Sequence, residues 1–119
     1  MKFTEAHEWL RVEGDEIVVG ITIHAAEQLG DVVFVELPDE GTTVSKDDEV
    51  VVIESVKAAA DILAGIDGEM FEVYSTLSDK PAMVNDDPQG DAWFCKMKAS
   101  DPSQMDEFMD EAAYQKFIG

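Results

Sequence analysis

Turn-forming residues recur every few positions along most of this chain, and that punctuation limits its fold more than any other feature. Few of the apolar segments between the breaks are long enough for an extended helix, and most carry strand-like residues. Gly14-Asp15 separates Trp9 to Val12 from Glu16 to Thr22, where Ile17, Val19 and Ile21 alternate onto one face of a predicted hairpin. Ala25 to Leu29 predicts a short helix stopped by Gly30. Val32 to Leu37 reads as an aliphatic strand ended by Pro38-Asp39-Glu40-Gly41. Val44, an Asp47-Asp48 turn and Val50 to Ile53 continue the pattern. Asp61 to Leu63 and Met70 to Tyr74 then flank Gly65-Ile66-Asp67-Gly68, and Ala92 to Met97 gives a last strand. Many short strands so separated predict a mainly β sandwich or barrel.

The tail has a different period. Asp101-Pro102 offers an N-cap with proline at the first helical position, and Met105, Phe108, Met109 and Ala112 fall at i, i+3, i+4 and i+7. This predicts an amphipathic helix packed on the barrel, with a second short helix over Asp110 to Phe117 docking Tyr114 and Phe117. A weak internal echo links Pro38-Asp39-Glu40-Gly41-Thr42-Thr43-Val44 with Gly65-Ile66-Asp67-Gly68-Glu69-Met70-Phe71. Each is a turn, a glycine and an apolar strand start, as a barrel of two similar halves would need.

Charge excludes several classes of function. Eight basic residues face 27 acidic ones, for a net charge of −19 over 119 residues. Such a surface repels phosphate backbones and anionic lipid, so neither nucleic acid nor membrane is an expected partner. It speeds encounter with basic surfaces instead. No apolar run approaches membrane-spanning length and no secretory signal is visible, so the expected compartment is the cytoplasm. The lone cysteine, Cys95, fits a reducing compartment and reads as a small core residue. His7 and His24 lack metal-ligand spacing, residues 85–91 lack the EF-hand pattern, and no set of acid, base and nucleophile stands out.

One segment resists the strand reading. Ser55-Val56-Lys57-Ala58-Ala59-Ala60 is good helix material, and Ile53, Val56, Ala60 and Leu63 share a helical face, so propensity alone favours a helix over Glu54 to Ala64. Yet Glu54-Ser55-Val56-Lys57-Ala58, followed by Asp61, resembles the lipoylation site of the glycine cleavage system H protein family. His7-Glu8-Trp9, Val19-Gly20-Ile21-Thr22, Gln28 to Pro38, Val84-Asn85-Asp86-Asp87-Pro88, the tryptophan strand at Trp93 and the acidic helical tail resemble that family too, in its order.

The resemblance covers nearly the whole chain. It implies one carrier domain over residues 1–119, a flattened lipoyl/biotinyl-type barrel-sandwich hybrid with short helices and a C-terminal helical segment at about 101–118. It replaces the helix with a hairpin at about 50–64 that presents Lys57 for covalent lipoate, with Glu54, Ser55, Val56 and Ala58 as the recognition motif. Small neighbours at Ala58, Ala59 and Ala60 leave such a tip open. Glu8 and Asp61 are expected to contact the loaded arm and hold its cationic aminomethyl group. The implied partners are a lipoate ligase or lipoyl transferase, glycine decarboxylase (P protein), aminomethyltransferase (T protein) and dihydrolipoyl dehydrogenase (L protein). The implied role is a shuttle, with the chemistry left to those enzymes.

Rival readings are a Schiff-base lysine, which needs a buried pocket, and a biotinyl lysine, which sits between methionines where this chain has Val56 and Ala58. A lipoyl relay serving another enzyme, or an acidic interaction module without a prosthetic group, are the alternatives in function. Three positions depart from the family pattern. Ile23 stands where an acid is common, Gly65 where proline often follows the hairpin, and Gln89 where an aromatic is frequent.

Overall fold

The alternation at Ile17, Val19 and Ile21 belongs to a strand that is covered on both faces. In the computed structural model, which describes residues 1–46 and 48–119, β1 (Lys2–Phe3), β2 (Glu8–Glu13) and β3 (Glu16–Ile21) form an antiparallel meander. Gly14, at φ +63°, supplies the left-handed residue of the β2–β3 turn. Helix α1 (Ile23–Leu29) starts where the Thr22 side chain accepts from the Ala25 N–H and stops at Gly30. Then come β4 (Val32–Glu36), β5 (Thr43–Val44), β6 (Glu49–Ser55), β7 (Ala59–Leu63) and β8 (Gly68–Val73). Two single-turn helices, α2 (Thr76–Asp79) and α3 (Met83–Asp86), precede β9 (Cys95–Ala99) and the final helix α4 (Glu111–Ile118). The Asp47-Asp48 turn falls partly outside the described residues, because Asp47 is not among them.

Two antiparallel sheets result, ordered β1-β2-β3-β9-β8-β5 and β4-β6-β7. Val19, Ile21, Val35, Ile53, Ile62, Met70 and Met97 are buried in one cluster that draws on both. The molecule measures 36 × 35 × 22 Å, the flattened barrel-sandwich form that the resemblance implied. Cys95 lies in this core, where burial pushes its thiol up to about 12 and leaves it inert. No helix among the described residues is long and apolar enough to cross a membrane.

The helix favoured by propensity over 54–64 is absent. β6 is the central strand of its sheet, with Val35 opposite Ile53 on one side and Ala60 opposite Ile53 on the other. Two ladders and the burial of Val51 and Ile53 outweigh a few tenths of a kcal/mol per residue of helix preference. The two echoed segments pair with each other. Val44 lies opposite Gly68, the Gly41 N–H donates to the Met70 carbonyl at 2.6 Å, and the Met70 N–H donates to the Thr42 carbonyl at 2.8 Å.

The last strand and the tail differ from expectation. Strand β9 begins at Cys95, so Ala92 and Trp93 precede the ladder, and Trp93 stacks on Tyr74 at 5.0 Å. The single amphipathic helix through Met105 to Ala112 is broken. A 3₁₀ helix over Pro102–Glu107 ends at Phe108, and Met109 exchanges backbone hydrogen bonds with Phe3 at 2.8 and 3.0 Å. The Asp110 side chain then caps α4 by accepting from the Ala113 N–H at 2.8 Å. Tyr114 docks as expected, whereas Phe117 stays 49% exposed and Ala112 faces solvent.

Tyr114 explains why β3 is buried on its second face. With Phe3, Trp9 and Val18 it forms a smaller buried cluster, closed by the Trp9 indole N–H donating to the Pro88 carbonyl at 2.7 Å. Gly20 lies opposite Trp9 in the ladder, and a Cβ there would sit 2.5 Å from the indole ring. Gly20→Ala should therefore cost about 1–3 kcal/mol through overpacking. Urea unfolding followed by tryptophan fluorescence measures this, and a stability equal to wild type would contradict the packing.

Candidate functional site

The β6–β7 hairpin narrows to a three-residue turn, Val56 to Ala58, and Ser55 satisfies its polar groups. The Ser55 hydroxyl accepts from the Lys57 N–H at 3.2 Å and the Ala58 N–H at 3.0 Å, and donates to the Ala58 carbonyl at 3.1 Å. The Ser55 N–H donates to the same carbonyl at 2.8 Å. A side chain of this size and polarity replaces bonds that the turn itself cannot make.

Lys57 is exposed at this turn, between the exposed small or apolar residues Val56 and Ala58. The tip does not hang free. The Val56 N–H donates to the Asp31 carbonyl at 3.0 Å, tying it to the turn between α1 and β4. The Lys57 stem crosses Gly30 so closely that a Cβ there would lie 3.3 Å from Cε and 3.7 Å from Nζ. Glu54 is exposed one step down the hairpin, opposite Phe34 and Ala59, and Asp61 is exposed opposite Val52.

Glu8 is not at the tip. It opens β2 beside the foot of β7 and is only 2% exposed. Its Oε2 accepts from the Leu63 N–H at 2.8 Å and its Oε1 from the Thr4 hydroxyl at 3.1 Å. A cleft of about 420 Å³ opens there, with Thr4, Glu8, Leu63, Gly65, Phe108 and Met109 in its wall. Asp61 lies outside that wall. A larger hollow of about 600 Å³, between the β2–β3 hairpin and Met105, holds none of the candidate residues.

Residues that the sequence reading left without a role hold Glu8 in place. His7, just before it, has φ +66°, a conformation rare outside glycine. Backbone bonds enforce it: the His7 N–H donates to Thr4, and the His7 carbonyl accepts from the Thr22 N–H at 3.0 Å. The Tyr114 hydroxyl lies 2.8 Å from both His7 Nδ1 and Thr22 Oγ1. Burial and the facing His24 ring, 4.7 Å away, hold the His7 imidazole below its ordinary value. No spacing rule marks such a chain, because its members are separated by up to 107 positions in sequence.

The departures also have local explanations. The Ile23 N–H donates to the Gln89 side-chain carbonyl at 2.8 Å, so two of the unusual positions contact each other. Gly65 adopts φ +77°, a conformation closed to proline, and lines the Glu8 cleft.

An exposed lysine at the turn of a stiff hairpin, on a flattened two-sheet barrel, is the build of a carrier domain. The comparisons agree. A family model described as "Glycine cleavage H-protein" matches residues 1–119, and the chain belongs to that family. It is 50% identical over 118 residues to a glycine cleavage system H protein of Parvibaculum lavamentivorans, covering 99% of this chain and 94% of that protein. The crystal structure of a glycine cleavage system H protein from Mycobacterium marinum superposes with a TM-score of 0.90. Sequence identity to it is 34%, over 99% of this chain and 95% of that one.

Burial pushes the Glu8 carboxyl above the usual carboxylate range, and the hydrogen bonds from Leu63 and Thr4 offset this only in part. The folded chain thus keeps this proton at pH values where the unfolded chain has released it. Stability from Glu8 is present below the ordinary carboxylate pKa and is lost as pH rises through the raised value. Glu8→Gln should therefore gain stability relative to wild type as pH rises from the ordinary carboxylate value through the raised one. Thermal unfolding of both proteins at matched ionic strength measures this, and a constant difference across that range would contradict a raised carboxyl.

Proposed function

We propose that Lys57 is the attachment point of a lipoyl group on this chain, as an N6-lipoyllysine, within the recognition segment Glu54-Ser55-Val56-Lys57-Ala58. Members of this family are the lipoyl carriers of the glycine cleavage system, and this chain is a carrier component rather than a catalyst. The observation that carries this reading is the hairpin tip. Its amine is exposed, its backbone is held by the Ser55 hydroxyl and Asp31, and no bulky neighbour crowds it. A modifying enzyme must take the lysine into its own pocket, and a rigid hairpin with a small-residue tip permits that entry. The same stiffness gives a tethered group a defined origin and a high local concentration at a docked partner.

The residues present fit the group. Lipoate, once bound, supplies a disulfide that accepts a reduced one-carbon unit and later returns to the oxidised form. For this chain's own residues, Glu8 is the better placed of the two expected acids. Its carboxyl forms part of a cleft wall at the foot of the same hairpin, where a cationic amine could replace the Thr4 hydroxyl as donor. Asp61 faces solvent along the hairpin and suits a contact made only while the arm lies outside the cleft.

Membership in the system implies work with its P, T and L proteins. We assign the individual encounters to glycine decarboxylase, aminomethyltransferase and dihydrolipoyl dehydrogenase, with a lipoate ligase or lipoyl transferase as the modifying partner and the cytoplasm as the compartment. A net charge of −19 favours basic docking surfaces on each, with rates that fall as salt is added. We also assign residues 1–119 to one carrier domain.

Protein co-expressed with a lipoate ligase and supplied with lipoate should gain one lipoyl increment, localised by peptide mass spectrometry to Lys57. Lys57→Arg should gain none. A biotinyl increment, or a lipoyl group on another lysine, would overturn the assignment.

A further inference from the structure

We infer that Asn85 is a positioning residue for the Lys57 arm, acting through the turn between α1 and β4; the inference rests on Lys57 being the attachment site. Asn85 belongs to the Val84-Asn85-Asp86-Asp87-Pro88 segment, far from the hairpin in sequence. Its amide spans the turn in both directions. Nδ2 donates to the Gly30 carbonyl at 2.7 Å, and Oδ1 accepts from the Val32 N–H at 2.9 Å.

The residue between those two anchors is Asp31, whose carbonyl accepts from the Val56 N–H at the hairpin tip. The first anchor is itself the surface over which the Lys57 stem runs. Gly30, at φ +74°, presents bare backbone, and a Cβ there would press on the stem, 3.3 Å from Lys57 Cε and 3.5 Å from Cδ. One side chain thus fixes the peptide groups that set both the height of the tip and the direction in which the lysine leaves it.

Asn85 is itself held. Val84 beside it is fully buried, Met83 packs partly buried against the same core, and α3 packs on α1. The path from core to arm is therefore short: α3, the Asn85 amide, the 30–32 turn, the Val56 N–H, Lys57. The amide donates to a carbonyl through Nδ2 and accepts from an N–H through Oδ1, two separate atoms that reach two peptide groups at once. Aspartate keeps the acceptor but sets an anion against the Gly30 carbonyl, and alanine loses both bonds.

Removing the amide frees the turn without touching the recognition segment. Asn85→Ala should lower kcat for lipoylation of Lys57 by a lipoate ligase about tenfold, with KM little changed, because the lysine is misdirected while the docking surface is intact. Amide hydrogen exchange of the unmodified full chain, read by NMR, provides the second measurement. Exchange at Val56 should accelerate about tenfold in Asn85→Ala, as expected from two lost hydrogen bonds, while amides of the β2–β3 ladder keep wild-type rates. Asn85→Asp should move both readouts the same way, and serves if the alanine variant fails to fold.

Wild-type kcat together with wild-type Val56 exchange in either folded variant would overturn the inference. A uniform acceleration across all amides would also overturn it, since that marks a general stabilising role. If wild type itself takes no lipoyl group from a competent ligase, the reading of Lys57 fails instead, and the Val56 exchange still decides whether Asn85 holds the tip.

Discussion

The position of the candidate site depends on β6 being the middle strand of a three-stranded sheet. Paired with β4 on one edge and β7 on the other, it has neither edge free, and its inward residues Val51 and Ile53 are fully buried. A strand fixed in this way cannot pivot, so the turn at its end points in one direction. Ser55 sits where the ladder gives out, and its hydroxyl takes over the hydrogen bonding for the next three residues. The lysine leaves the tip in a defined direction because the strand below it is paired on both edges. A flexible loop would give equal exposure but no direction, and would pay the ordering entropy at each docking event.

A second constraint lies at the other end of the hairpin. Both faces of β3 are buried, one in the main core and one against Trp9 and Tyr114, so the chain must bring α4 back across the first sheet. In doing so α4 delivers the Tyr114 hydroxyl to His7 and Thr22. That contact lies beside the left-handed residue that turns Glu8 inward under β7. The carboxyl buried there keeps its proton more tightly than a solvated one, and one N–H and one hydroxyl offset part of the cost of its burial.

Much of this was legible in the sequence, for identifiable reasons. Gly14 and Gly30 punctuate turns that need positive φ, so the hairpin and short helix they bound were read correctly. The strand alternation of Ile17, Val19 and Ile21 predicted the core face but not the burial of Val18, because periodicity cannot reveal a partner contributed by the last ten residues or so. The tail misled for a related reason. Met105, Phe108 and Met109 have helical spacing, yet Met109 leaves the helix to exchange two backbone bonds with Phe3. At the hairpin, local propensity pointed to a helix and tertiary pairing prevailed; only likeness to a family signalled it beforehand. Asn85 and His7 act through hydrogen bonds between segments distant in sequence, and neither spacing nor periodicity marks those partners.

The central claim is that this chain carries a group on one lysine of that hairpin within the glycine cleavage system. Its most direct test is loading by glycine. Lipoylated protein is incubated with glycine and the pyridoxal-phosphate decarboxylase of the system, and released carbon dioxide and the mass of the carrier are followed together. Release of one equivalent of carbon dioxide per chain is expected, with a gain of one aminomethyl increment on the peptide containing Lys57 and neither seen for Lys57→Arg. A lipoylated wild type that gains nothing while a known H protein is loaded in parallel would contradict it.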